Sequence, residues 1–190
     1  LSRLEKFHEQ YPHVRLRISN HSTPQAIQAL RSDIVDFAAV TTPLDIKSPL
    51  EKIPLASYRE ILIGGRKYKK LAEHTQKLED IASLPFISLD ENSSTRELYN
   101  SFFLEHGLSF APDMETATTD QMLPLITHNL GIGFYPKKMA ELALTKGDVY
   151  QIPLEEKLPL RRIYLVTNGS TAKSTAVRKM IKFIQEYHKI

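Results

Sequence analysis

Thr118-Thr119-Asp120-Gln121-Met122-Leu123-Pro124-Leu125-Ile126-Thr127-His128-Asn129-Leu130-Gly131-Ile132-Gly133-Phe134-Tyr135-Pro136 is the stretch whose reading decides the fold. It opens on three residues, Thr118 to Asp120, whose side-chain oxygens can accept hydrogen bonds from the free N–H groups of a helix start. Met122, Leu123, Ile126 and Leu130 follow at helical spacing. Asn129 and Gly131 suit the left-handed residue that closes a helix. Ile132 to Tyr135 is too short for a second helix and reads as a buried strand stopped by Pro136, with Gly133 admitting a close backbone approach. Pro124 falls at about the fourth or fifth helical position, slightly past the point where proline is free of cost. A helix that opens beside a short strand builds one wall of a small-molecule cleft.

Outward from there, helix and strand alternate. The chain begins with a helix carrying Leu1, Leu4, Phe7 or His8, and Tyr11, ended by Pro12. Val14, Leu16 and Ile18 alternate with Arg15, Arg17 and Ser19 as in a half-buried strand. Pro24 takes the favoured first position of a helix with Ile27, Leu30 and Ile34 on its apolar side. Phe37 to Val40 is a continuously apolar strand. A strand near Arg59 to Gly65 and a basic, helix-prone piece to Glu79 come next. Phe86 to Leu89 reads as a strand, then a helix capped by Ser94 or Thr95 and closed at Gly107. Met114 to Ala117 leads back to the opening stretch. Beyond it lie a helix over Lys137 to Lys146, a strand over Val149 to Ile152, and a buried strand over Arg162 to Val166. A last helix, capped by Ser170 or Thr171, carries Val177, Met180, Ile181, Ile184 and Tyr187.

This alternation argues an α/β chain with mainly parallel sheets. In such folds ligands sit beyond the C-terminal ends of strands. Four loops share that placement: Asn20 to Thr23, Thr41 to Pro43, Asn92 to Thr95, and Thr118 to Asp120. All are rich in hydroxyls and amides. Two precede a lobe change placed near Pro85 and two follow it, which predicts a cleft between lobes. Ser22, Thr23, Thr41, Thr42, Ser93, Ser94, Thr95, Thr118 and Thr119 are the candidate contacts. Capping alone accounts for any one of them, yet the N–H groups left over at a helix start also favour an anion. The expected guest is therefore a small effector, a carboxylate or other anion.

Composition excludes several classes. The chain has 190 residues, 42% hydrophobic and 25% charged, as in ordinary globular proteins. With no cysteine it has no disulfide or thiolate chemistry. No apolar run approaches a membrane span, and Leu1 to Lys6 is not a signal peptide. A net charge of +3 is too mild to mark a nucleic-acid surface. None of the seven histidines pairs at metal-ligand spacing, so no metal or other cofactor is assigned. No Gly-x-Ser-x-Gly or phosphate-binding Gly loop is present, so no catalytic residue is assigned. His21, Arg96, Lys67 to Lys70 and Arg161-Arg162 read as solvated surface. The chain opens without methionine inside a helix, which reads as a fragment of something longer.

The helix ending in Tyr11-Pro12, the Val14-Arg15-Leu16-Arg17-Ile18 segment, Ile34-Val35-Asp36-Phe37-Ala38-Ala39-Val40 and Asn129-Leu130-Gly131-Ile132-Gly133-Phe134-Tyr135-Pro136 together resemble the regulatory domain of LysR-type transcriptional regulators. The likeness spans nearly the whole chain. Where that family often has glycine ahead of an acidic residue, Asp33-Ile34-Val35-Asp36 stands here. The resemblance implies two Rossmann-like lobes of the type 2 periplasmic-binding-protein fold, joined by two crossover strands. Lobe I would be residues 1–80 plus 160–190, lobe II residues 81–159. It adds Phe134 to the effector-binding set. It implies a cytoplasmic, effector-sensing domain of a homodimer or tetramer, reaching promoter DNA only through an N-terminal winged helix-turn-helix outside this chain. In the dimer, the first helix and Val14–Ile18 would face the 120–129 helix and 132–135 strand of the partner. The alternative is a solute-binding protein of a transporter, which shares such lobes.

Overall fold

The computed structural model describes residues 2–186, and within these the chain folds around two sheets. The first is built from β1 (Phe37–Thr41), β2 (Leu50–Tyr58) and β8 (Arg161–Asn168), in the order β1-β8-β2. The second combines β3 (Glu60–Gly65), β6 (Ile132–Pro136) and β7 (Val149–Ile152), in the order β6-β3-β7. Parallel strands β4 (Ile87–Leu89) and β5 (Met114–Thr116) extend it, through a bridge from Phe86 to Ile132. The chain passes from one sheet to the other between β2 and β3 and returns at β8.

The crossing makes the sheets less parallel than the helix–strand alternation suggests. Both neighbours of β8 run antiparallel to it, and so do both neighbours of β3. A strand entering a sheet from the other lobe arrives against the direction of the strands already there. β3 and the 3-10 turn after it (Arg66–Ala72) belong to the second sheet, although the sequence reading put residues up to 80 in the first lobe.

Helix α1 (Ser2–Gln10) lies against α7 (Thr175–Glu186), with the rings of Phe7 and Phe183 5.6 Å apart. The cap of α7 is Ser174, whose Oγ accepts from Val177 N at 3.2 Å, rather than Ser170 or Thr171. Leu1 and Tyr187 of the expected apolar faces lie outside the described residues. Val14 to Ile18 takes no regular secondary structure and pairs with no strand among the described residues, and Ile18 is 71% exposed. Alternation in sequence reports which faces are apolar; it does not supply a sheet edge to bond to. β2, which contains Pro54, is not among the strands expected from the sequence, where Ile53 to Leu55 reads only as a lead into the strand near Arg59 to Gly65. Proline is tolerated there because β2 is an edge strand with a bulge beside Pro54.

Helix α2 (Thr23–Arg31) ends on Asp33, whose φ of 54° places it in the left-handed region. Ile34 N donates back to Ala29 O at 2.9 Å, closing the helix. Aspartate is among the few residues besides glycine that adopt this conformation readily. The departure from the family's glycine at this turn is therefore absorbed locally.

The decisive stretch forms α5 (Thr119–Thr127) and β6. Gln121 Oε1 accepts from the backbone N–H groups of Ala117 (3.1 Å) and Thr118 (3.3 Å), so the helix start is tied down from within. Asn129, with φ of 64°, ends it. Gly133 has no room for a side chain: a Cβ there would stand 2.8 Å from Ile87 O. Its closeness serves packing of β6 against β4.

Two apolar clusters fill the second lobe, one on each face of β3. Leu62, Phe134, Ile152, Tyr99, Phe102, Phe103 and Phe86 form one; Ile63, Ile87, Met122, Ile126 and Tyr135 form the other. A third, with Ile27, Leu30, Val40 and Val166, holds α2 against the first sheet.

Candidate functional site

Where the two sheets meet, the start of β8 places Arg161 beside the start of β3, which carries Glu60. Both side chains are only 3% exposed, and they form an ion pair with Nη1 2.8 Å from Oε1. Arg161 then reaches both lobes. Its Nη2 donates to Thr41 Oγ1 at 2.8 Å and to Thr95 Oγ1 at 2.9 Å, and Nε donates to Thr42 O at 2.8 Å. Thr41 ends β1, and Thr95 lies in the first turn of α4 (Ser94–Glu105). One guanidinium thus ties a strand end of the first lobe to a helix start of the second. The Tyr58 ring lies under its cation, 5.4 Å away.

Burial dominates the chemistry of this cluster. It raises the Glu60 carboxyl above the ordinary range, outweighing the pull of Arg161 in the other direction. The Tyr58 hydroxyl is pushed up to about 12, by burial first and the Glu60 charge second. Tyr99, which approaches the same carboxylate, is raised strongly by burial. Glu60 Oε2 nevertheless lacks a well-formed hydrogen bond among the described residues.

Between the ordinary carboxyl pKa, about 4.3, and the raised native value, the folded protein holds the proton more tightly than the unfolded chain. Glu60's contribution to stability is therefore full below that window and falls as pH rises through it. Chemical denaturation across the window should show wild type losing stability relative to Glu60→Gln as pH rises. A flat difference contradicts the assignment.

The other candidates divide into three groups. Thr23 Oγ1 donates to Thr41 O at 3.5 Å, and Thr42 Oγ1 accepts from Arg162 N at 3.0 Å, so these hydroxyls gather at the mouth of the first lobe. Ser22 caps α2 in a capping box with Gln25, whose Oε1 accepts from the Ser22 backbone N at 3.1 Å, while Ser22 Oγ faces the Gln25 backbone without a well-formed hydrogen bond among the described residues. Ser94 and Thr119 make no side-chain hydrogen bond among the described residues. Thr118 precedes α5, its carbonyl accepting from Gln121 N at 3.1 Å. Across the gap, Asn20 Nδ2 donates to Asp120 Oδ1 at 3.3 Å. Ser93, rather than Ser94 or Thr95, caps α4: its Oγ accepts from Arg96 N (3.1 Å) and donates to Asp90 O (2.9 Å), leaving it committed to structure. Phe134 is buried in the second lobe's aromatic cluster, 5.1 Å from the Tyr99 ring.

Arg161, read from sequence as solvated, is the opposite, and Glu60 was not singled out. Arg96 also turns inward, pairing with Glu115 at 2.6 Å and lying over the Phe110 ring. The available signal was each residue's place at the start of an apolar strand, Glu60 before Ile61-Leu62-Ile63 and Arg161 before Ile163-Tyr164-Leu165-Val166. A charge there faces the junction when its strand crosses between lobes.

Residues 1–189 match the family model described as LysR substrate binding domain, and this chain belongs to that family. Among curated proteins it is 21% identical over 180 residues to the Escherichia coli (strain K12) uncharacterized HTH-type transcriptional regulator YeiE, covering 95% of this chain and 61% of that one. It is 26% identical over 188 residues to a probable RuBisCO transcriptional regulator of Gracilaria tenuistipitata var. liui, covering 94% and 59%. The chain thus spans about three fifths of these relatives. Among solved structures, the effector binding domain of QuiR in complex with shikimate superposes with a TM-score of 0.82 at 20% identity, over 99% of this chain and 89% of that one. The Synechocystis PCC6803 CcmR regulatory domain in complex with 2-PG gives 0.84 at 14% identity, over 99% and 90%. The bromide-bound regulatory domain of HypT from Salmonella typhimurium gives 0.79 at 18%, over 98% and 88%. The fold is the two-lobed, type 2 periplasmic-binding-protein arrangement with two crossover strands.

Proposed function

We propose that this chain is the effector-sensing domain of a cytoplasmic LysR-type transcriptional regulator, with no catalytic role. The observation that carries the reading is Arg161, whose one Nη2 holds Thr41 of the first lobe and Thr95 of the second. The lobes are residues 2–58 with 161–186, and residues 60–159. Their shared mouth receives the starts of α2, α4 and α5. Arg161's charge is already balanced by Glu60, so selection for an anion comes from those helix starts. The ligands named for QuiR, CcmR and HypT are anions, which supports the same class here. The relatives are transcription regulators, and this favours sensing over solute capture for a transporter.

Ligand seated between the lobes shifts the population of inter-lobe arrangements by its differential affinity for them. A homodimer or tetramer passes that shift to a DNA-binding segment. Ile18 and Leu130, exposed on the two surfaces expected to meet in the dimer, fit such an assembly.

A thermal-shift screen of small carboxylates and phosphates tests the proposal. A ligand at 100 times its Kd adds about 2.7 kcal/mol, a rise of roughly 5–10 °C for a domain this size. At least one anion is expected to reach that range. If only cations or neutral molecules stabilise the protein, the anion assignment is wrong.

A further inference from the structure

The mouth between the lobes carries one charge that its other contacts leave unbalanced. Asp120 stands exposed in the first turn of α5 and forms no ion pair among the described residues. Its hydrogen-bond partner is a neutral amide from the opposite lobe, Asn20 Nδ2 at 3.3 Å, the long end of the range for such a bond. Arg161, the cation the lobes share, is already paired with Glu60. Thr23, Thr41, Thr42 and Thr95, which the hydrogen bonds gather there, are neutral. A ligand touching the starts of α2, α4 and α5 therefore meets a carboxylate and, among these contacts, no unpaired side-chain cation. The same carboxylate offsets part of the positive end of α5, whereas the first turn of α2 has no acidic residue.

We infer that Asp120 sets the class of effector: a monocarboxylate that also carries a hydroxyl, rather than a dicarboxylate or a phosphate ester. The inference rests on the proposed sensing cleft and narrows what that cleft takes. A guest lying across the mouth displaces the Asn20 amide from Asp120. The covered carboxylate then needs another donor, since leaving it without one is costly. A ligand hydroxyl supplies that donor. A second acid group would instead set acceptor against acceptor and like charge against like. The ligand's own acid group lies at the other helix starts, where backbone N–H groups and the Ser94 hydroxyl of α4 donate. Coulomb repulsion scales with ligand charge, so Asp120 penalises a dianion twice as much in free energy as a monoanion.

The test uses two matched trios of acids: glycerate, propionate and malonate, and the bulkier 4-hydroxycyclohexanecarboxylate, cyclohexanecarboxylate and cyclohexane-1,4-dicarboxylate. Amide NMR at Thr23, Thr95 and Thr119 reads occupancy of the cleft and gives each Kd. In the tighter-binding trio the hydroxylated acid should lead, with the plain acid about tenfold weaker for want of one hydrogen bond to a charged acceptor. The dicarboxylate should also be at least about tenfold weaker than the hydroxylated acid. Asp120→Asn, a surface change of the same shape, should strengthen the plain acid about threefold and the dicarboxylate about tenfold, as charge scaling requires. The hydroxylated acid should then lose its lead. Asn20→Ala, which frees Asp120, should strengthen the hydroxylated acid several-fold and leave the dicarboxylate excluded. The inference is overturned if the dicarboxylate or the plain acid leads in the wild type, or if Asp120→Asn moves monoanion and dianion by the same factor. Shifts still centred on the three helix starts would in that case leave the sensing cleft standing. Absence of shifts there with every acid up to about 20 mM overturns the inference and counts against the cleft itself.

Discussion

Arg161→Met should destabilise the protein by about 3–5 kcal/mol, since removing one partner of a buried ion pair strands the other. For a chain of this size the melting temperature falls by roughly 10 °C. Three effects add. Glu60 loses its only formed hydrogen bond to an ionic partner, Thr41 and Thr95 lose the donor they share, and Thr42 O loses Nε. Methionine keeps the apolar stem, so loss of packing is small. The double variant Glu60→Gln with Arg161→Met removes the stranded charge and should recover a good part of the deficit, because replacing both members of a buried pair costs far less than breaking it. Denaturant unfolding of the wild type, two single variants and the double variant completes the cycle. Additive losses would mean that the pair is not energetically coupled.

Phe134→Ala is the second large effect. The ring is 2% exposed and stands within 5.1–6.5 Å of the rings of Tyr99, Phe86, Phe102 and Phe103. Truncating such a residue costs about 3–5 kcal/mol through lost burial and the space left behind. The change should act on stability and leave the sensing cleft intact. Phe134→Leu, milder and still folded, should bind a cleft anion within about threefold of wild type, which is under 1 kcal/mol. Calorimetry on that variant separates the two roles. A large loss of affinity with little loss of stability would restore Phe134 to the effector set, where the resemblance had placed it.

These two residues also show what sequence can and cannot reveal. The α5–β6 stretch was legible because its signals are local. Gln121 reaches back to the helix start three and four residues away, and Asn129 closes the same helix. Hydroxyl-rich loops were legible as a set because chain order alternates helix and strand. Ser93's role as the α4 cap was off by a residue or two, which is the usual slack of a capping signal when three hydroxyls stand in a row. What stayed hidden depends on distant partners. Glu60 and Arg161 are 101 positions apart, and nothing near either residue announces the other. Val14 to Ile18 has the alternation of a strand but pairs with no strand among the described residues. β3 was assigned to the wrong lobe for the same reason, since its place is set by pairing with β6 and β7, both far downstream.

In the proposed mechanism a small anion touches both lobes at once. Backbone amide NMR of the protein titrated with the strongest anion from the thermal screen tests this most directly. Shifts should appear together at the start of α2, around Thr23, and at the starts of α4 and α5, around Thr95 and Thr119, all fitting a single Kd. Shifts restricted to one lobe, or distributed away from these helix starts, would contradict it.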